Sequence, residues 1–149
     1  MSYTQLLYHV VIRTHASERT ISEEHEKELY AYIHGMCKNR NTILYRIGGM
    51  PDHIHMLVGL PSTLPVAKFV QEIKSVTSVW LKANPNFPNF NRWSKEYAAF
   101  TYAMRDKEMI INYIRGQKEH HKTVSFEEEY RQFITECGGV IDERYFLKD

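Results

Sequence analysis

The sequence is short of the features that mark several large protein classes. It has only two cysteines, Cys37 and Cys137, in 149 residues. They lie far apart and without metal-type spacing, which excludes a disulfide scaffold or a cysteine knuckle and fits a reducing, cytoplasmic compartment. No apolar run approaches the roughly 20 residues that span a bilayer. The opening MSYTQLLYHVVIRT has no basic segment ahead of an apolar stretch, so it does not read as a secretory leader. A dominant charge is missing too: the formal net charge is +1, so any contact with nucleic acid must come from a local basic face. There is no G-x-x-x-x-G-K-[ST] phosphate loop. No repeat, low-complexity segment or interior linker divides the chain, and residues 1–149 are expected to form a single domain.

What is present is an ordered alternation of elements. QLLYHVVIRT (5–14) is rich in β-branched and aromatic residues and predicts a strand. Residues 21–40 predict a helix: Ser22 stands at the N-cap position, acidic residues fill the first turn, Leu29, Ile33 and Met36 recur at helical spacing, and Lys38 and Arg40 close it. Two strands, 42–48 and 53–60, flank a Gly-Met-Pro-Asp turn and predict a hairpin. Residues 64–83 carry an apolar stripe through Phe69, Val70, Ile73 and Trp80 and predict a second helix. The Pro- and Asn-rich stretch 84–91 predicts a loop, and 97–104 a fourth strand. Two further helices are expected, 106–121 capped by Asp106 and 125–137 capped by Ser125 with Glu128 at capping-box spacing. The first six elements follow the order β-α-β-β-α-β, that of an α+β, ferredoxin-like split βαβ fold with an antiparallel sheet. The additional C-terminal helices must lie at an edge or on the open face.

The segment PDHIHMLV raises the chemical question. Alternation on a strand puts His53 and His55 on one face, about 7 Å apart along the chain, while Ile54, Met56 and Val58 point to the helices. Paired imidazoles on one face can share a cation, or simply decorate a polar surface. Two ligands hold a metal poorly, so a third is needed. In NYIRGQKEHH, Tyr113 and Gln117 stack on one helical face. His121, one turn on, competes with Gln117 for the third position, and periodicity alone does not choose between them. The same helix carries Gly116, at a cost of about 1 kcal/mol to a helix.

PDHIHMLV followed by YIRGQ resembles the single-tyrosine HUH transposases of the bacterial IS200/IS605 group and the related repeat-associated tyrosine transposases. YHVVIRT, RWSKEYAAFTY and FEEEYRQFI also fall where such proteins carry similar segments, so the likeness covers nearly the whole chain. It departs from a typical member at Gly48-Gly49 and in the C-terminal stretch VIDERYFLKD. The resemblance implies His53, His55 and Gln117 as ligands of Mg²⁺ or Mn²⁺ and Tyr113 as the nucleophile. It implies cleavage and rejoining of single-stranded DNA through a 5′-phosphotyrosine, with hairpin-bearing element ends as substrate. A homodimer is implied, with the tyrosine helix acting in trans, in the bacterial cytoplasm. Lys68, Lys74 and Lys82 on the second helix, with Arg92 and Lys95 beside Trp93, are candidates for tracking phosphates, or merely a solvated face. The competing expectations are a replication-initiator or relaxase-like nuclease, a non-catalytic ferredoxin-like nucleic-acid-binding module, and a domesticated HUH nuclease serving the host.

Overall fold

In the computed structural model, which describes residues 2–149, four strands form one antiparallel sheet: β1 (Leu7–Thr14), β2 (Ile43–Met50), β3 (His53–Gly59) and β4 (Trp93–Tyr102). Their order is β2-β3-β1-β4. The two central strands, β1 and β3, are almost wholly buried, which follows from their near-continuous Leu, Val, Ile and Met content. With α1 (Glu26–Asn39) after β1 and α2 (Val66–Ala83) after β3, this is the ferredoxin-like α+β arrangement expected from the sequence.

The main core lies between the sheet and these two helices. Leu29 and Ile33 of α1 and Phe69, Val70 and Ile73 of α2 pack on Val10, Ile12, Ile54, Met56 and Val58. The buried Trp93 and Thr77 there satisfy each other. The indole N–H of Trp93 donates to Thr77 Oγ1 at 2.9 Å, and that hydroxyl donates to the Ile73 carbonyl at 2.6 Å.

The opposite face is not open. It is roofed by α3 (Lys107–Arg115), α4 (Gln117–His120) and α5 (Phe126–Glu136). Leu7 and Leu57 pack against Ile110 and Ile114 of α3, and Val11 and Ala98 against Phe126 of α5. The face that carries His53 and His55 is therefore a second interior.

Four expectations about local structure need correction. Helix α1 starts at Glu26 rather than at a Ser22 cap, because the chain is first tied down elsewhere: Ile21 is buried, and the N–H groups of Thr20 and Ile21 both donate to the Pro51 carbonyl. The helix expected over 106–121 is two pieces, interrupted at Gly116, whose ψ of 11° is not helical. Asp106 precedes α3 without a side-chain capping bond. Strand β4 begins at Trp93, earlier than expected, because a register irregularity between Ile12 and Thr14 lets the chain re-pair at Thr14–Trp93. The Ser125 cap forms as expected, its hydroxyl accepting the Glu128 N–H at 3.1 Å.

The glycine pair in β2 has a steric cause. A Cβ on Gly48 would stand 3.1 Å from the Ile114 carbonyl oxygen, and one on Gly49 would run into the His53 carbonyl oxygen and lie 2.9 Å from Ile54 Cα. Gly48 lets α3 approach the sheet, and Gly49 lets the hairpin close at His53. Gly49→Ala is expected to lower the unfolding free energy by roughly 1–3 kcal/mol, read from a urea transition, since the atoms it meets are backbone and cannot rotate aside. An unchanged midpoint would show that the hairpin is not closed this tightly.

Candidate active site

Strand β3 delivers both imidazoles to the second interior, His53 with 1% and His55 with 0% of its surface exposed. Each ring is held from behind through Nδ1. His53 Nδ1 lies 2.7 Å from Asp52 Oδ1, and His55 Nδ1 lies 2.8 Å from His9 Nε2. Such backing fixes ring orientation. His53 is further fixed by stacking on Phe126, with centroids 4.1 Å apart.

Both Nε2 atoms therefore face the roof. His53 Nε2 is 3.1 Å from Gln117 Oε1 and 3.5 Å from Glu129 Oε1, and His55 Nε2 is 3.0 Å from Glu129 Oε1. The orientation of the Gln117 amide is set by its Nε2, which donates to Glu129 Oε2 at 3.0 Å. His121 lies beyond Gln117: its Nε2 is 3.0 Å from Gln117 Oε1, and its Nδ1–H donates to the Val124 carbonyl at 2.7 Å.

Glu129 was not legible as a site residue. It lies in the run FEEEYRQF, which reads as the acidic first turn of a helix. The available signal was its spacing: three residues after Phe126 and four before Phe133, it falls on the apolar side of α5. The fold buries it to 2% exposure.

Tyr113 reaches the same point from α3. Its phenol donates to Glu129 Oε2 and lies 3.4 Å from His120 Nε2, and its ring centroid is 5.8 Å from that of His55. A cavity of about 320 Å³ opens beside it, walled by His9, Tyr102, Met109 and Phe133.

The electrostatics of this cluster have definite signs. Burial, reinforced by neighbouring imidazoles, lowers His55 to about 4, and burial with His55 lowers His9 to about 3, so both rings are neutral at pH 7, as metal ligation requires. Burial alone would raise Glu129, but the bonds from His121, His55 and Tyr113 outweigh it and hold the carboxyl well below its usual range. Burial and the adjacent Glu129 carboxylate hold the Tyr113 phenol well above its usual range. The phenol is thus a protonated, weak nucleophile while that carboxylate carries its full charge.

The donor set fits a divalent cation. Two imidazole nitrogens and a carboxylate oxygen, from His53, His55 and Glu129, lie within 4.8 Å of one another, and the Gln117 amide oxygen adjoins them. Mixed nitrogen and oxygen donors of this kind suit Mn²⁺.

The basic residues proposed to track phosphates separate into two places. Arg92 and Lys95, at the start of β4, gather round the Asp149 carboxylate: Arg92 Nη2 and His15 Nδ1 each lie 2.9 Å from its Oδ1, and the Lys95 N–H donates to its Oδ2. Lys74 joins them, its Nζ donating to the Lys95 carbonyl at 3.1 Å. Lys68 and Lys82 are exposed on α2 and make no hydrogen bond to this group.

Comparisons with known proteins bear on the family and the fold. The family described as "Transposase IS200 like" matches residues 2–117. The transposases for insertion sequence element IS200 of Salmonella typhimurium and of Salmonella typhi are each 25% identical over 120 residues, covering 77% of this chain and 78% of theirs. Among solved structures, a putative transposase from Deinococcus radiodurans aligns with a TM-score of 0.59 at 22% identity, over 78% of this chain and 93% of that one. A REP-associated tyrosine transposase bound to a REP hairpin aligns with a TM-score of 0.63 at 15% identity, over 83% of this chain and 73% of that one. At these identities the two structures speak for the fold. The match across residues 2–117 speaks for the family, and the chain belongs to the IS200-like transposases.

Proposed function

We propose that this transposase cuts and rejoins single-stranded DNA by forming a 5′-phosphotyrosine at Tyr113, beside a divalent cation held by His53, His55, Gln117 and Glu129. The observation that carries this reading is convergence: two imidazole Nε2 atoms from β3, an amide oxygen from α4, a carboxylate from α5 and a phenol from α3 meet in one chain. A bound Mg²⁺ or Mn²⁺ supplies Lewis-acid polarisation of the scissile phosphate and offsets the charge on Glu129.

The residues then have distinct tasks. Tyr113 Oη attacks phosphorus and its proton passes to Glu129 Oε2, which already accepts it. The P–O3′ bond breaks, and its electron pair leaves on O3′, which takes up a proton as a free hydroxyl. The phosphate stays on the tyrosine, so a second 3′-hydroxyl can reverse the step and join strands without ATP. Asp52 and His9 hold the two imidazoles in place meanwhile. The arrangement supports a site completed within one chain, and a homodimer that exchanged the tyrosine helix would reproduce it with the same residues. The hairpin bound by the REP-associated relative supports hairpin-bearing single strands as the substrate class here. The group of Arg92, Lys95, His15 and Lys74 supports phosphate contacts at the start of β4.

The reaction is tested by incubating the protein with hairpin-bearing single-stranded DNA from its flanking regions and Mn²⁺, followed by denaturing electrophoresis. A denaturation-resistant adduct is expected with the native chain. Tyr113→Phe should abolish it while DNA affinity stays within a few-fold. A non-catalytic binding module would give no adduct with either protein. For the phosphate contacts, Arg92→Ala and Lys95→Ala should each reduce the slope of log K against log salt by about 0.7 on single-stranded DNA. Lys68→Ala serves as the comparison and should leave the slope unchanged.

A further inference from the structure

The resemblance gives His9 no role and the ligand set does not include it, yet it is one of the most deeply buried polar residues, 1% exposed. It pairs in register with Leu57, which makes it the diagonal neighbour of His55 on the same face of the sheet, within reach of an aromatic ring. Its Nε2 stands 2.8 Å from His55 Nδ1, and its own Nδ1 is buried with no hydrogen-bond partner. The two ligand imidazoles are therefore backed differently. Behind His53 is a carboxylate, Asp52, which when ionised only accepts and so fixes the proton on His53 Nδ1. Behind His55 is a second imidazole, which can accept or donate.

One proton lies between His9 Nε2 and His55 Nδ1, and its owner decides what His55 can do. With no cation, Glu129 Oε1, 3.0 Å from His55 Nε2, is best served by an Nε2–H donor. His55 Nδ1 is then bare and His9 Nε2–H donates to it. With a cation on His55 Nε2, the His55 proton must sit on Nδ1 and donate to His9 Nε2, and the His9 proton must move to its Nδ1. Each ring keeps one proton throughout and the net charge of the pair is unchanged.

We propose that His9 is a positioning residue that sets the tautomer of His55, so that cation binding and a paired tautomer exchange of the two rings are one event. This rests on the reading of His53 and His55 as cation ligands. The unpartnered Nδ1 of His9 is what allows its proton to change sides: a hydrogen bond there would lock one tautomer and with it the ligand state of His55.

Long-range ¹H–¹⁵N correlation spectra of the full chain report the tautomers directly. Without metal, His55 is expected to carry its proton on Nε2. On titration with Mg²⁺ it should move to Nδ1, and His9 should exchange over the same concentration range. His55 already protonated on Nδ1 in metal-free protein, or a His9 ring that ignores the titration, would overturn the proposal. Mn²⁺ affinity gives a second reading: His9→Leu should weaken it about 10–100-fold, whereas His9→Gln, whose amide can both accept and donate, should stay within a few-fold of the native chain. If His9→Leu does not fold, the spectra and His9→Gln decide. Native Mn²⁺ affinity in folded His9→Leu defeats the proposal and leaves the transposase chemistry standing. Coupled tautomers without any Tyr113 adduct do the reverse, and a native chain that binds neither ion removes both.

Discussion

Strand β3 is sandwiched between β2 and β1 and buried on both faces, and its alternation divides the molecule. Ile54, Met56 and Val58 enter the core beneath α1 and α2, while His53, His55 and Leu57 enter a second interior beneath α3, α4 and α5. A one-residue slip of this strand would exchange the two sets and place imidazoles in the apolar core. The pairing of Arg13 with His53 and of Ile12 with Ile54, together with the close approach at Gly49, holds the register. The apolar burial that stabilises the fold and the placement of the reactive groups are thus consequences of the same hydrogen-bond ladder.

The second interior is unusual in burying a polar cluster among its apolar contacts. His9, His53, His55, Gln117 and Glu129 are all at or below 2% exposure. Such groups are tolerated when hydrogen-bonded to one another, and here nearly every one is. Glu129 is the common partner: one oxygen faces the imidazoles of β3, and the other faces Tyr113, Gln117, His120 and His121. This carboxylate ties α5 to both the sheet and the Tyr113 phenol, so the imidazoles and the phenol share one anion.

Much of this was legible from the sequence because strands with one consistent pattern leave little choice. YHVVIRT and HIHMLV read as strands, the β-α-β-β-α-β order follows from the helices between, and the imidazole pair falls on one face by alternation alone; that this face is roofed over was not legible. What the sequence hid depended on tertiary contacts. The Ser22 cap was displaced because Thr20 and Ile21 are tied to Pro51, an interaction between segments far apart in the chain. Gly116 looked like a tolerated helix residue, yet the helix breaks there, and Gln117 begins the next piece facing His53. Glu129 and His9 sit in stretches with an ordinary explanation, an acidic helix start and an apolar strand. Their roles appear only when α5 is laid across the sheet and β1 is set beside β3.

The occupancy of the roof has a consequence for how the cluster is held. The imidazoles, the Gln117 amide and the phenol are all engaged by Glu129, one carboxylate on a packed helix. Whatever displaces that helix frees these groups together, and whatever holds the helix holds them together. The cluster is set as a unit, by the docking of a single element rather than by the loops around it.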